Sequence, residues 1–224
     1  MITWTVFTCV VFLFAGVTNG QTPCCSPDQW TGHLLQNTGE YNRVVDTASK
    51  ADVSTFIYYD HPGRRLATLH DVYNQTTDNR TSVQRIINYS KGLEWRIVGK
   101  VCTLHKVTEV MPSPCFLDGA SSFGNHMIYK LPVQVWYKEF SDGGNIRSTV
   151  AKDNCLLVTE TSLSILSGPD YMLSFGVYEN ITGGSVPSSP FQIPSSCPQS
   201  GPVYPGSATP YRPWYLPNDI LARR

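Results

Sequence analysis

The chain has 224 residues, 17 Lys+Arg against 17 Asp+Glu, and only 15% charged residues. That balance offers no electrostatic footprint for nucleic acid or an anionic membrane. Aromatic residues make up 12% of the chain, which favours a mostly β protein, and the length suffices for one domain with a sizeable core.

Residues 1–20 carry no charged side chain, and Val6–Val17 is almost wholly apolar before the small residues Thr18-Asn19-Gly20. The pattern predicts a secretory signal peptide over 1–20, because a membrane span needs roughly 20 apolar residues. The expected organisation is therefore a signal peptide (1–20), a β domain (21–197) and a Pro-rich flexible tail (198–224). Cysteine usage agrees. Of seven cysteines, Cys9 falls in the leader, and Cys24, Cys25, Cys102, Cys115, Cys155 and Cys197 remain. An even number in a secreted chain implies disulfides. Cys24 and Cys25 are adjacent, and each needs a distant partner. Asn74-Gln-Thr76, Asn79-Arg-Thr81, Asn88-Tyr-Ser90 and Asn180-Ile-Thr182 are N-glycosylation sequons.

Taken along the chain, Asp52–Asp60 is rich in β-branched and aromatic residues and predicts a strand, with a turn at His61-Pro-Gly63. Thr77–Tyr89 reads either as a short helix or as a strand from Val83. Met111–Phe123, with two prolines and Cys115, reads as a disulfide-tied loop. Leu131–Lys138 alternates Val133, Val135 and Tyr137 against Gln134, Trp136 and Lys138. Cys155–Ile165 is a further strand, and Tyr171–Tyr178 sets Tyr171, Leu173, Phe175 and Val177 on one face. Turn chemistry lies between these runs, giving the spacing of an antiparallel meander.

Nothing resembles a catalytic apparatus. His33, His61, His70, His105 and His126 form no H-E-x-x-H. There is no G-x-S-x-G elbow and no calcium loop. Each lone histidine reads as a surface or satisfied residue. Asp142 and Asn145 are the residue types a glycine-rich turn wants. A binding protein rather than an enzyme is expected, with no required cofactor. Trp95, Trp136, Leu173 and Phe175 are the proposed wall of an apolar pocket, against the plainer reading that such aromatics fill the core.

Several stretches together resemble the ependymins and ependymin-related proteins. They are Pro23-Cys-Cys-Ser-Pro-Asp-Gln-Trp-Thr-Gly32, Tyr58-Tyr-Asp60 with Arg64-Arg65, Lys100-Val-Cys102, Lys152-Asp-Asn-Cys155 with Val158-Thr-Glu160, and Pro190–Cys197. The resemblance implies a secreted extracellular glycoprotein with two antiparallel sheets in a half-barrel. That fold is like the bacterial lipoprotein carriers, with few short helices and a hydrophobic pocket for a lipid or fatty acid. It further implies a homodimer, calcium binding, and extracellular-matrix or cell-adhesion partners. The alternative is a structural adhesion glycoprotein with a filled core. The resemblance also implies the bridges Cys25–Cys155 and Cys102–Cys197, which leaves Cys24 and Cys115 as a third pair. Cys24 and Cys25 can exchange partners. The vertebrate pattern has one cysteine in the opening and a third bridge from two cysteines absent here. No carboxylate cluster has calcium-ligand spacing, so no metal ligand is named.

Overall fold

The computed structural model describes residues 24–115, 119–140, 143–165, 170–198 and Tyr204. The expected signal peptide, and the tail beyond Pro198 apart from Tyr204, lie outside the described residues.

Eleven strands carry the fold: β1 (Gln29–Asn42), β2 (Thr47–Asp60), β3 (Arg65–Asn74), β4 (Asn79–Asn88), β5 (Leu93–Val98), β6 (Val101–Lys106), β7 (Ser121–Ile128), β8 (Leu131–Glu139), β9 (Asn145–Ala151), β10 (Leu157–Ile165) and β11 (Asp170–Gly183). A single 3-10 turn, Ser189–Phe191, is the only helical element among the described residues. The segment left open between helix and strand is β4. The sheet order is β6-β5-β4-β3-β2-β1-β11-β10-β9-β8-β7, with antiparallel pairing throughout. The expected mostly β, antiparallel architecture is borne out. The two expected sheets are two meanders, β1–β6 and β7–β11. They join into one sheet because β1 and β11, each 14 residues long, pair from Trp30↔Gly183 to Asn42↔Asp170.

The first meander repeats one local device. Asn42, Asp60, Asn74 and Asn88 end their strands, and each side-chain oxygen accepts a hydrogen bond from the backbone N–H three residues on, at 3.0–3.1 Å. One residue later the chain turns left-handed, at Asp46 (φ 51), Arg64 (φ 49), Asp78 (φ 52) and Gly92 (φ 63). The next strand then begins opposite the capping residue. Asn and Asp suit the first position because their short side chains mimic a backbone carbonyl. In two of the loops a tyrosine hydroxyl also donates to the left-handed aspartate, Tyr41 to Asp46 and Tyr73 to Asp78, both at 2.9 Å.

Alternation along the strands gives the sheet one buried and one open face. Trp30, Leu34, Ile57, Tyr59, Leu66, Val72, Ile87, Met172 and Tyr178 form the main cluster of the buried face. Gly176 belongs to this face, where an added Cβ would stand 2.7 Å from Leu34 Cδ1. Polar groups are buried here too. His70 is fully buried, with Nδ1 3.0 Å from Thr55 Oγ1 and Nε2 2.7 Å from Thr68 Oγ1. Beside it, Arg85 and Arg96 donate from Nε to the same Glu94 oxygen, at 2.6 and 3.2 Å. Burial raises the Glu94 carboxyl, but the two guanidinium groups outweigh it and hold the pKa at about 2. Burial first, and then the Arg85 and Arg96 charges against Glu94, hold the His70 imidazole well below its ordinary 6.5.

The disulfides are Cys24–Cys155, Cys25–Cys115 and Cys102–Cys197. The last is as the family resemblance implies. The other two correct the implied pairs Cys25–Cys155 and Cys24–Cys115, since the adjacent cysteines have exchanged partners. Successive side chains of an extended chain point opposite ways. Cys24 turns inward, buried with Trp136, Val150 and Cys155. Cys25 turns outward and forms an antiparallel bridge with Cys115. Beside it, Ser26 N–H donates to the Pro114 carbonyl at 2.9 Å. The 111–123 segment is thus tied by Cys115, as the sequence suggested, until β7 begins at Ser121.

Two outcomes follow from the buried face. Gly176→Ala is expected to destabilise the fold by about 1–3 kcal/mol, because the fully buried Leu34 must shift to admit the methyl group; urea titration measures it. His70 is buried neutral, so its contribution is whole above the ordinary value of 6.5 and drains away as pH falls below it. The urea midpoint is expected to drop between pH 7.5 and pH 5.5, and less steeply in a folded His70→Gln variant.

Candidate functional site

On the open face, the end formed by β3–β6 is roofed by the C-terminal segment. Phe191 is buried beneath the Arg65 guanidinium, 4.3 Å from its ring centre. Ile193 and Cys197 pack with Ile86, Trp95 and Leu104. Arg65 is held in turn by Asp60, which also accepts from Gln29 at 2.7 Å. Burial raises the Asp60 carboxyl, yet hydrogen bonds from Gln29, Arg65 and the Gly63 N–H, with the Arg65 charge, bring it below its ordinary value.

Beyond this roof the face is bare. Leu69 and Phe56 are cross-strand neighbours, as are Leu35 and Val177. Phe175 and Leu173 continue along β11, Leu173 beside Leu163 of β10. Phe56, Leu69, Leu173 and Phe175 are each 43–56% exposed. A groove of about 330 Å³ runs between β2, β1 and β11 over Leu35 and Phe175, with Asn37, Asp52 and Ser54 beside them. Its polar margin is fixed by Asn37 Nδ2, which donates to Asp52 at 2.6 Å, and by Gln75, which donates to the other Asp52 oxygen. A smaller concavity of about 190 Å³ lies beside it, between His33, Phe56 and Asn180.

The four residues proposed from sequence as one pocket wall are not brought together. Leu173 and Phe175 stand on the bare part of the open face, and Phe175 lines the groove. Trp95 is on the same face but buried under the roof, its Nε1 donating to the Pro198 carbonyl at 3.0 Å. Trp136 is on the opposite, buried face with Cys24 and Val150. One continuous sheet separates it from the others. Sequence reasoning missed Leu35, Phe56 and Leu69. The alternation in β1 and β2 was the available signal, blurred because both faces mix polar and apolar residues. Of the sequon asparagines, Asn74 and Asn88 cap hairpins, Asn79 opens β4, and Asn180 is exposed on β11. Among the described residues no group of three or more His, Cys, Asp or Glu is placed to hold a metal. No described helix is long and apolar enough to cross a membrane.

No family model matches the chain. It is similar to ependymin-related protein 2 of Haliotis asinina, 25% identical over 191 residues, covering 78% of this chain and 89% of that protein. The resemblance read from the motifs is borne out by this relative. Among solved structures, an uncharacterized conserved protein from Thermus thermophilus matches with a TM-score of 0.48 and 6% identity, over 80% of this chain and 91% of that one. A LolA superfamily protein from Nitrosomonas europaea matches with a TM-score of 0.32 and 8% identity, over 75% and 91%.

The groove's side chains stand on the open face, so a charge placed there meets solvent rather than the core. Leu35→Asp, at a site 40% exposed, is expected to shift the melting temperature little; differential scanning calorimetry checks it.

Proposed function

We propose that this relative of ependymin-related protein 2 is a secreted, disulfide-tied binding protein that holds a hydrophobic ligand, such as a lipid or fatty acid, on the open face of its sheet. The observation that carries this is the groove of about 330 Å³ over Leu35 and Phe175, flanked by exposed Phe56 and Leu173. Apolar floors with a few placed polar groups are how proteins hold apolar small molecules. The reading moves the ligand from a pocket between two sheets to one face of a single sheet. Three disulfides support an oxidising, extracellular location.

A second reading follows from the extent of the bare apolar stripe, which runs from Leu69 on β3 to Leu163 on β10. Exposed patches of this kind also mark protein contacts. The stripe then becomes the meeting surface of a homodimer, and an adhesion or matrix role replaces carriage.

Native mass spectrometry separates the two. The secreted chain, mildly delipidated and re-exposed to a lipid extract, is expected to carry a stoichiometric apolar adduct. Phe175→Asp should weaken that adduct by about tenfold or more, the equivalent of losing one buried apolar side chain. A bare dimer that takes up no lipid, and that Phe175→Asp splits, would refute the carrier and establish self-association.

A further inference from the structure

The polar margin of the groove is rich in hydrogen-bond acceptors. Among the described residues that line it, Asp52 alone is charged. A carboxylate can only accept, so Asn37 and Gln75 each turn an NH2 group to it, one to each oxygen. Their carbonyl oxygens remain as further acceptors. The two amides use one site on each Asp52 oxygen, and a carboxylate has about four such sites. Ser54, the other polar side chain there, is engaged with His33 Nε2 at 2.8 Å. The nearby Asp71 carboxylate is balanced by Arg80, whose Nε stands 3.3 Å away. Asp52 has no ion pair among the described residues. Lys50, the next side chain on the same face of β2, stands opposite Gly39 and outside the groove lining.

We infer that the groove takes a single-chain lipid whose head is a protonated amine, seated on Asp52 with its chain laid over Phe175 and Leu173. This rests on the groove being a ligand site, as proposed above. An ammonium head brings three donors and no acceptor, the complement of this margin. A fatty-acid carboxylate brings the reverse. It meets Asp52 as a like charge and finds amide oxygens where it needs donors. A neutral alcohol falls between the two. The chain has a path across the sheet. From Asp52 on β2 it crosses β1, where Gly39 has open space above it. It then reaches exposed Phe175 and Leu173 on β11 and ends at Leu163 on β10. Three inter-strand spacings make about 14 Å, enough for a medium-length alkyl chain.

The test uses the full secreted chain, delipidated, at pH 7. It is titrated calorimetrically with three probes of equal chain length, decylammonium, decanol and decanoate, each below its aggregation limit. Decylammonium is expected to bind about three- to tenfold more tightly than decanoate, with decanol between, the range that exposed charge contacts supply. That lead should shrink as salt rises, because an exposed charge pair is screened, a readout that needs no variant. Asp52→Asn is expected to level the three affinities while decanol binding stays. Decanoate equal to decylammonium or ahead of it, as Lys50 would favour, overturns the inference. So does a lead that survives Asp52→Asn or ignores salt. If none of the three probes binds, the groove is no ligand site, and the carrier reading falls together with the choice of head group.

Discussion

The pairing of β1 with β11 is the constraint on which the rest depends. β1 is paired along its whole length with β2 on one side and, across one bulge of β11 opposite Gly32, with β11 on the other. It alone joins a meander built from residues 29–106 to one built from residues 121–183. The close approach that Gly176 allows to Leu34 lies on this seam, and so does the bulge that exposes Asn180. Both faces inherit their layout from it. On the buried side it gathers Leu34, Met172 and Tyr178 into one cluster. On the open side it sets Leu35 beside Val177 and Asn37 beside Phe175, and Leu35, Asn37 and Phe175 line the groove. The disulfides reinforce the same join. Cys24 and Cys25 precede β1, and their bridges reach Cys155 beside β10 and Cys115 before β7. Both bridges span long sequence separations, 131 and 90 residues, where loop-closure entropy gives each about 2–5 kcal/mol.

Much of the strand pattern was legible because period-2 alternation is a local property. Tyr171, Leu173, Phe175 and Val177 do share a face, as their spacing says. Which face is buried was not legible. The more apolar set of β11 stands open, and the set Met172, Ser174, Gly176 and Tyr178 is covered. Small residues are needed where strands and side chains crowd, so hydropathy alone ranks the two faces the wrong way round. The same ambiguity scattered the proposed pocket wall, since Trp95 and Trp136 both lie buried but on opposite sides of the sheet.

The hairpin caps show what was legible but not read. An Asn or Asp at the end of a strand, with a left-handed residue four positions on, recurs at 42, 60, 74 and 88. Asn74 and Asn88 serve as caps and also begin sequons, so part of the apparent glycosylation signal in that region is turn chemistry. The cysteine exchange has a comparably local origin. It depends on which way the chain is rotated at one dipeptide, a matter of side-chain direction that spacing does not encode.

The seam also sets an order of assembly. The β1–β6 meander is built from neighbouring hairpins and can close as soon as it is synthesised. Its outermost strand, β1, must then wait for β11, whose first residue lies more than a hundred positions downstream of the end of β1. Throughout that interval a 14-residue strand carrying Leu34 and Leu35 is an unpaired edge, the template on which a second unfinished chain can add. Early formation of the Cys25–Cys115 bridge would fix the segment that leads into β1 before β11 exists. The double cysteine would then guard a nascent chain as well as fasten a finished one.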